Sequence, residues 1–254
     1  MVATVYEPDT PREPARPGML VMHGGAWMFG SRYQQAWFCR SFARAGYVVM
    51  TFEYRLMPRF AFPYCVDDCR AAHAWFVRNA GRFGVDTARI AAFGASAGGH
   101  LAAMLAARPC TNGTLEPADT AVKAAVVLYG PTATEQFLEE PRPGLRGILI
   151  KRYFKSFGGR HFGETLASQY SAVSVIPWIK NGCRPMLLVH GTWDHIVPFA
   201  QSKRLFDALT RVGAKTQLVP VKNGFHGFDY VYVRERRRVF AAMVQFLREQ
   251  GLAP

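Results

Sequence analysis

The stretch Ile90-Ala-Ala-Phe-Gly-Ala-Ser-Ala-Gly-Gly-His100 decides how this chain is read. A short run with strand character ends at Gly94, and a small-residue, helix-favouring run to Ala107 follows Ser96. A strand that turns straight into a helix lifts the serine hydroxyl out of the backbone at the carboxyl edge of a sheet. Gly94 and Gly98 flank a turn too tight for side chains, and the helix N-terminus behind Ser96 favours negative charge near its hydroxyl. This is the pattern of a nucleophile elbow. Because G-x-S-x-G also arises by chance in a Gly- and Ala-rich chain, the reading depends on what accompanies it.

Outward from that stretch, the chain alternates strands and helices. Strands are expected over Ala3 to Tyr6, Met19 to Met22, Tyr47 to Tyr54, Ile90 to Phe93, Ala124 to Tyr129, Met186 to Val189 and Thr216 to Val221. Helices are expected over Tyr33 to Ala45, Tyr64 to Ala80, Ala200 to Val212 and Val233 to Gln250, the last with Phe240, Met243, Val244 and Leu247 on one face. Pro8 to Pro17 reads as a connector and Asp86 as a cap or turn residue before the central strand. Short apolar strands separated by helices imply an α/β fold with a mostly parallel sheet covered on both faces.

With 254 residues, half of them hydrophobic, the chain is long enough for one large core, and residues 1–254 are read as one domain. It has no 18-residue apolar run and no basic, apolar signal-like start, so stable membrane insertion is not expected and a cytoplasmic location is. The five cysteines are odd in number and lack zinc-like spacing, so reduced, structural thiols are expected and no metal site. Lysine and arginine exceed the acids by 13, gathering in Arg142 to Arg160 and in Arg234 to Arg238. Without a nucleic-acid-binding signature this excess reads as a solvated basic face, and no nucleic-acid partner is expected. An oligomer is compatible with the sequence.

In open parallel sheets the chemistry collects at the carboxyl ends of strands. The strand ending at Val189 leads into His190-Gly-Thr-Trp-Asp194, that ending at Val221 into Gly224-Phe-His226-Gly-Phe228, and that ending at Met22 into His23-Gly-Gly-Ala-Trp27. A serine hydroxyl is a poor nucleophile until an imidazole can take its proton, and the imidazole needs a carboxylate to fix its tautomer. Ser96, His226 and Asp194 fill these roles, in the chain order Ser, Asp, His. Each has a plainer alternative: Asp194 could cap the next helix and His226 could be a loop histidine. His23 is read as a structural residue steadying its loop, and His100 and His190 as packing residues. Asp67 and Asp68 are rival carboxylates, better explained as stabilising a helix N-terminus.

Together with Tyr54-Arg-Leu-Met-Pro58, Phe62-Pro63 and Asp67-Asp68, these motifs resemble the hormone-sensitive-lipase-like esterases of the α/β-hydrolase fold, and within them the small carboxylesterases related to acetyl-xylan and feruloyl esterases. The resemblance implies that the backbone N–H groups of Gly25, Ala26 and Ala97 form an oxyanion hole. It implies hydrolysis of a small-molecule ester through an acyl-enzyme, without cofactor. Trp27 and Phe225, beside the oxyanion loop and the histidine, are taken as substrate-binding. Similarity of the His-Gly-Gly-x-Trp loop and Ser-Ala-Gly elbow to arylformamidases leaves amide hydrolysis open, as well as a ligand-binding relative without activity. Only 22 residues precede His23, fewer than in lipase-like members, so a shortened start and about seven strands are expected. The long span between Tyr129 and Met186, rich in bulky apolar and basic residues, is read as a lid-like insertion at about 132–178 that either seeks a membrane or, the preferred reading, packs over the elbow, with Phe154 and Phe157 above short- to medium-chain acyl groups.

Overall fold

The structure, a computed structural model, describes residues 1–9, 14–57, 59–60, 62–107, 121–136 and 173–254. These residues form seven strands: β1 (Ala3–Tyr6), β2 (Arg16–Met22), β3 (Val48–Phe52), β4 (Val85–Ala95), β5 (Ala124–Leu128), β6 (Met186–Gly191) and β7 (Thr216–Val221). One sheet takes all of them in the order β1-β3-β2-β4-β5-β6-β7, parallel throughout except for β1 on β3. The sequence expectation of about seven strands matches this sheet. The interior strands read as continuous apolar runs because both of their faces are covered. Along β2, Leu20 and Met22 enter one core while Met19 and Val21 enter the other.

The first core lies under α2 (Tyr64–Arg78), the short α3 (Ala80–Phe83), α4 (Ala97–Ala107) and α5 (Ala200–Arg211). The second lies under α1 (Ala36–Arg44) and α7 (Val233–Glu249), with the one-turn α6 (Phe228–Val231) leading into α7. Every residue of α4 is buried, so it carries no polar face and small side chains let it lie close to the sheet. On α7 the fully buried stripe is Val239, Met243, Phe246 and Leu247, with the expected Phe240 and Val244 half-buried at its border. The apolar period was right and its phase was off by one residue.

β4 starts five residues earlier than the sequence indicates. Its pairing with β2 jumps from Pro17 with Asp86 to Gly18 with Ile90, so Thr87, Ala88 and Arg89 bulge out. Asp86 is the turn residue of that bulge, accepting from the Ala88 N–H at 2.9 Å and from Arg89 Nε at 2.7 Å. The expected lid, including Phe154 and Phe157, and the basic cluster at Arg142 to Arg160 lie largely or wholly outside the described residues. Cys39, Cys65, Cys69 and Cys183 are free thiols.

Two buried histidines make stability depend on pH. Burial pushes His73, on α2, and His100, on α4, down to about 4, with Lys123 adding to the shift of His73. The unfolded chain takes up these protons below about pH 6.5 and the folded chain only below about 4, so the unfolded state binds up to two more protons in that window. Stability therefore falls as pH falls through it. Denaturant titrations between these limits are expected to lose up to about 3 kcal/mol per pH unit from the two groups together. In His73→Leu the slope should drop by up to about 1.4 kcal/mol per pH unit; an unchanged slope would remove His73 as a source.

Candidate active site

Ser96 stands between β4 and α4, and it is the one residue from Ala91 to His100 that is not buried. Its φ of 55° is left-handed, a conformation that costs a non-glycine residue on the order of 1–3 kcal/mol. Neighbouring backbones impose it. A Cβ on Gly98 would lie 2.2 Å from the Met22 carbonyl oxygen, and one on Gly94 would lie 2.1 Å from that of Gly98. The Ser96 N–H donates to Leu128 O at 2.9 Å, so the turn is sewn to β5, and the Ser96 carbonyl accepts from His100 as α4 begins.

His226 lies between the serine and a carboxylate. Its Nε2 is 2.9 Å from Ser96 Oγ and its Nδ1 is 2.7 Å from Asp194 Oδ2. The acid fixes the tautomer: Nδ1–H donates to the carboxylate, leaving Nε2 to accept from the hydroxyl. Asp194 is held from several directions, with its Oδ1 accepting from the N–H groups of Ile196 and Val197 at 2.9 and 2.8 Å. His190 Nε2 also lies 3.3 Å from Oδ2, while its Nδ1 is 2.7 Å from Ser202 Oγ. Burial pushes the Asp194 carboxyl upward, but the attraction of His226 and the hydrogen bonds from both histidines outweigh it and hold it at about 2. The carboxylate is thus charged over the whole working range of pH.

Asp67 and Asp68 do not approach His226. Asp68 grips the Arg55 guanidinium at 2.7–3.0 Å and the Arg55 backbone N–H at 2.7 Å. Its main partner is thus this arginine and not the helix N-terminus suggested by the sequence. That pair fastens Tyr54-Arg-Leu-Met57 under the His23 loop, where Tyr54 Oη donates to His23 O at 2.9 Å and the Met57 N–H to Trp27 O at 2.9 Å. His23 is fully buried and stacked on Tyr54 at 4.2 Å, a structural residue as expected. Gly25, at φ 111°, has no room for a Cβ against the Phe29 carbonyl, and its own carbonyl accepts from the Met28 and Phe29 N–H groups. Ala26 and Trp27 follow at φ 50° and 60°.

A cleft of about 300 Å³ opens over Ser96, and Gly25, Ala26, Ala97, Trp27 and His226 are all on its wall. Ala97 is the first residue of α4, so its N–H has no acceptor within the helix. Phe225 is not on this wall: it packs edge-on against Tyr232 at 5.2 Å. The chain turns tightly here, with the Phe228 N–H donating to Phe225 O at 3.1 Å and Gly227 left-handed at φ 76°. Among the described residues no group of three or more His, Cys, Asp or Glu is placed to hold a metal ion.

Sequence reasoning missed Tyr129 and Asp229. Tyr129 follows β5 at φ 39°, lines the cleft and sets its ring 4.7 Å from the His226 imidazole. Its hydroxyl donates to Asp229 Oδ1 on α6, and burial raises the Asp229 carboxyl. The bond ties the loop carrying His226 to β5. The available signal was Asp229 itself, an acid three residues after the histidine. His100 was also underread: it accepts from Trp27 Nε1 at 3.3 Å through Nδ1, and its Nε2 lies 2.7 Å from Val173 O.

The family model described as BD-FAE matches residues 4–209. Esterase LipQ of Mycobacterium tuberculosis is 31% identical over 249 residues, which cover 94% of this chain and 57% of that protein. The chain thus spans little more than half the length of the curated relatives it matches. Among solved structures, the apo form of Thermogutta terrifontis esterase 2 superposes with a TM-score of 0.80 at 28% identity, over 99% of this chain and 90% of that one. The same esterase phosphorylated by paraoxon superposes at 0.77 with 27% identity, over 99% and 89%. The fold is that of the α/β-hydrolases.

Removing the Tyr129 hydroxyl should expose what it does. In Tyr129→Phe the ring stays against His226 but Asp229 loses its partner while buried, at a cost of about 1–3 kcal/mol. Tyr129→Phe/Asp229→Asn should cost less than the sum of the two single changes in denaturant unfolding. Additive losses would mean the pair is not coupled.

Proposed function

The chain belongs to the BD-FAE family, and from that membership and the geometry at Ser96 we propose that it is a serine carboxylesterase acting on small-molecule esters. One observation carries the proposal. A single imidazole lies within hydrogen-bond distance of Ser96 Oγ on one side and of a buried, charged carboxylate on the other. Esterases among its relatives and structural neighbours support the same reaction class.

In the proposed reaction Ser96 Oγ attacks the ester carbonyl carbon as its proton passes to His226 Nε2, and the carbonyl π electrons move onto oxygen. The resulting oxyanion sits against the N–H groups of Gly25, Ala26 and Ala97. Only main-chain donors are needed there, so an alanine serves at position 26. Imidazolium formation is stabilised by Asp194, whose charge is already in place and fully shielded from water. His226 then gives its proton to the leaving alcohol oxygen as that C–O bond breaks. Water, deprotonated by the same nitrogen, attacks the acyl-enzyme, and Ser96 leaves with the proton as the free acid forms. No step calls on a cofactor. A cleft of about 300 Å³ walled by Trp27, Tyr129, Ile196 and Val197 suits a short- to medium-chain acyl group.

A serine-directed fluorophosphonate is expected to label Ser96 stoichiometrically and to leave Ser96→Ala unlabelled, with turnover of p-nitrophenyl acetate down on the order of 10⁶-fold. Asp194→Asn presents the wrong hydrogen-bonding group and should cost about 10⁴ in kcat. Asp68→Asn should act mainly on stability, through Arg55. Labelling that persists in Ser96→Ala would sink the assignment. Parallel rates on N-formylkynurenine separate the readings: faster amide than ester turnover points to an amide hydrolase, and neither turnover nor labelling to a ligand-binding relative.

A further inference from the structure

Among the described residues, exposed large apolar side chains gather beside His226. Trp193, Phe225, Val231, Tyr232 and Val233 all stand in water, Trp193 and Val231 with about 60% of their surface accessible. None of them lines the cleft. They come from the loops after β6 and β7 and from the junction of α6 and α7: the Trp193 N–H donates to Gly224 O at 2.9 Å, and the Phe225 and Tyr232 rings meet at 5.2 Å. Ile196 and Tyr230 are exposed and also on the cleft wall, which makes the patch continuous with the mouth of the site. Neither the core nor the cleft accounts for such a surface on a folded chain.

The exposed charge around the patch is mainly basic. Lys222, Arg234 and Arg237 are exposed at its border. Between Lys222 and Arg237 only two acids occur: Asp229 is buried and bonded to Tyr129, and Glu235 is engaged by Arg238 at 2.8 Å. Exposed Trp and Tyr beside valines suit the boundary between lipid headgroups and acyl chains, where each ring has an apolar body and a polar tip. Basic residues alongside suit anionic headgroups. A second copy of this chain fits poorly, because pairing this patch with itself would bring two basic borders together, with Asp229 buried and Glu235 already engaged by Arg238.

We propose that this aromatic and basic patch docks the protein peripherally on an anionic lipid surface, with the mouth of the Ser96 cleft towards the lipid. The attachment is peripheral, and no described helix is long and apolar enough to cross a membrane. Docking of this kind would hand an ester dissolved in the lipid to the cleft without passage through bulk water. It rests on the surface alone, so it stands or falls separately from the chemistry at Ser96.

Vesicle co-sedimentation of the full chain tests it, with phosphatidylcholine vesicles beside phosphatidylcholine/phosphatidylglycerol vesicles. The protein should pellet with the anionic vesicles, stay in solution with the neutral ones, and be released by high salt, where the screening length falls to about 3 Å at 1 M. Arg234→Gln/Arg237→Gln should weaken binding roughly 25-fold, from a factor of about five for each cation. Trp193→Ser/Tyr232→Ser should lose it altogether. Both pairs should keep the wild-type melting temperature, and the wild-type rate on soluble p-nitrophenyl acetate wherever the wild type hydrolyses it. The proposal fails if the wild type ignores anionic vesicles at low salt, or if binding survives Trp193→Ser/Tyr232→Ser. It fails equally if neutral vesicles bind as well, or if those substitutions instead dissolve a dimer formed without lipid.

Discussion

The site depends on a near-contact between two backbones. Where β2 ends and the serine turn begins, Gly98 lies so close to the carbonyls of Met22 and His23 that even a methyl group would fall 2.2–2.6 Å from them. That closeness places the His23-Gly24-Gly25-Ala26 loop beside Ser96, with Gly24 packed against the Ala95 carbonyl and the Ser96 Cβ. The parallel register carries the alignment across the sheet: Ala95 pairs with Leu128, Leu128 with Val189, and Val189 with Val219. Residues one to five positions past these strand ends therefore converge, and Tyr129, Asp194 and His226 come from such positions.

Charge at the site is arranged in a short relay of fixed polarity. Ser202, His190, Asp194, His226 and Ser96 follow one another at 2.7–3.3 Å, and only Asp194 is an acid. Water cannot screen a carboxylate this deeply buried, so each donor aimed at it counts for more than it would at the surface. Two N–H groups and two imidazoles together offset the cost of burying the charge, which is why the carboxyl sits low despite its surroundings.

Backbone strain is concentrated in the same place. Of the five non-glycine residues with left-handed φ among the described ones, Ala26, Trp27, Ser96 and Tyr129 line the cleft, and Asn223 lies three residues before His226. Such conformations persist only where the surroundings over-determine them. Here the restraints are identifiable: Met57 and His100 hold Trp27, Leu128 holds Ser96, and Val189 and Asp229 hold Tyr129. Tyr54-Arg-Leu-Met57, clamped by Asp68, holds the His23 loop without lining the cleft.

What the sequence determined by itself was everything that follows from local pattern. The strands β1 and β7 and helix α5 fall within a residue of their expected limits, because period, small residues and Gly or Pro punctuation act over a few positions. Ser96, Asp194 and His226 were legible because each follows a recognisable apolar strand in a fixed order. The tertiary structure decided what depends on partners distant in the chain. It gave Asp68 to Arg55, sent Phe225 out to Tyr232, started β4 at Val85 and joined Tyr129 to Asp229 across a separation of 100 residues. Carboxylates look alike in a sequence. Their roles are set by which donor the fold brings within about 3 Å, since hydrogen bonding and charge attraction in a buried site fall steeply with distance.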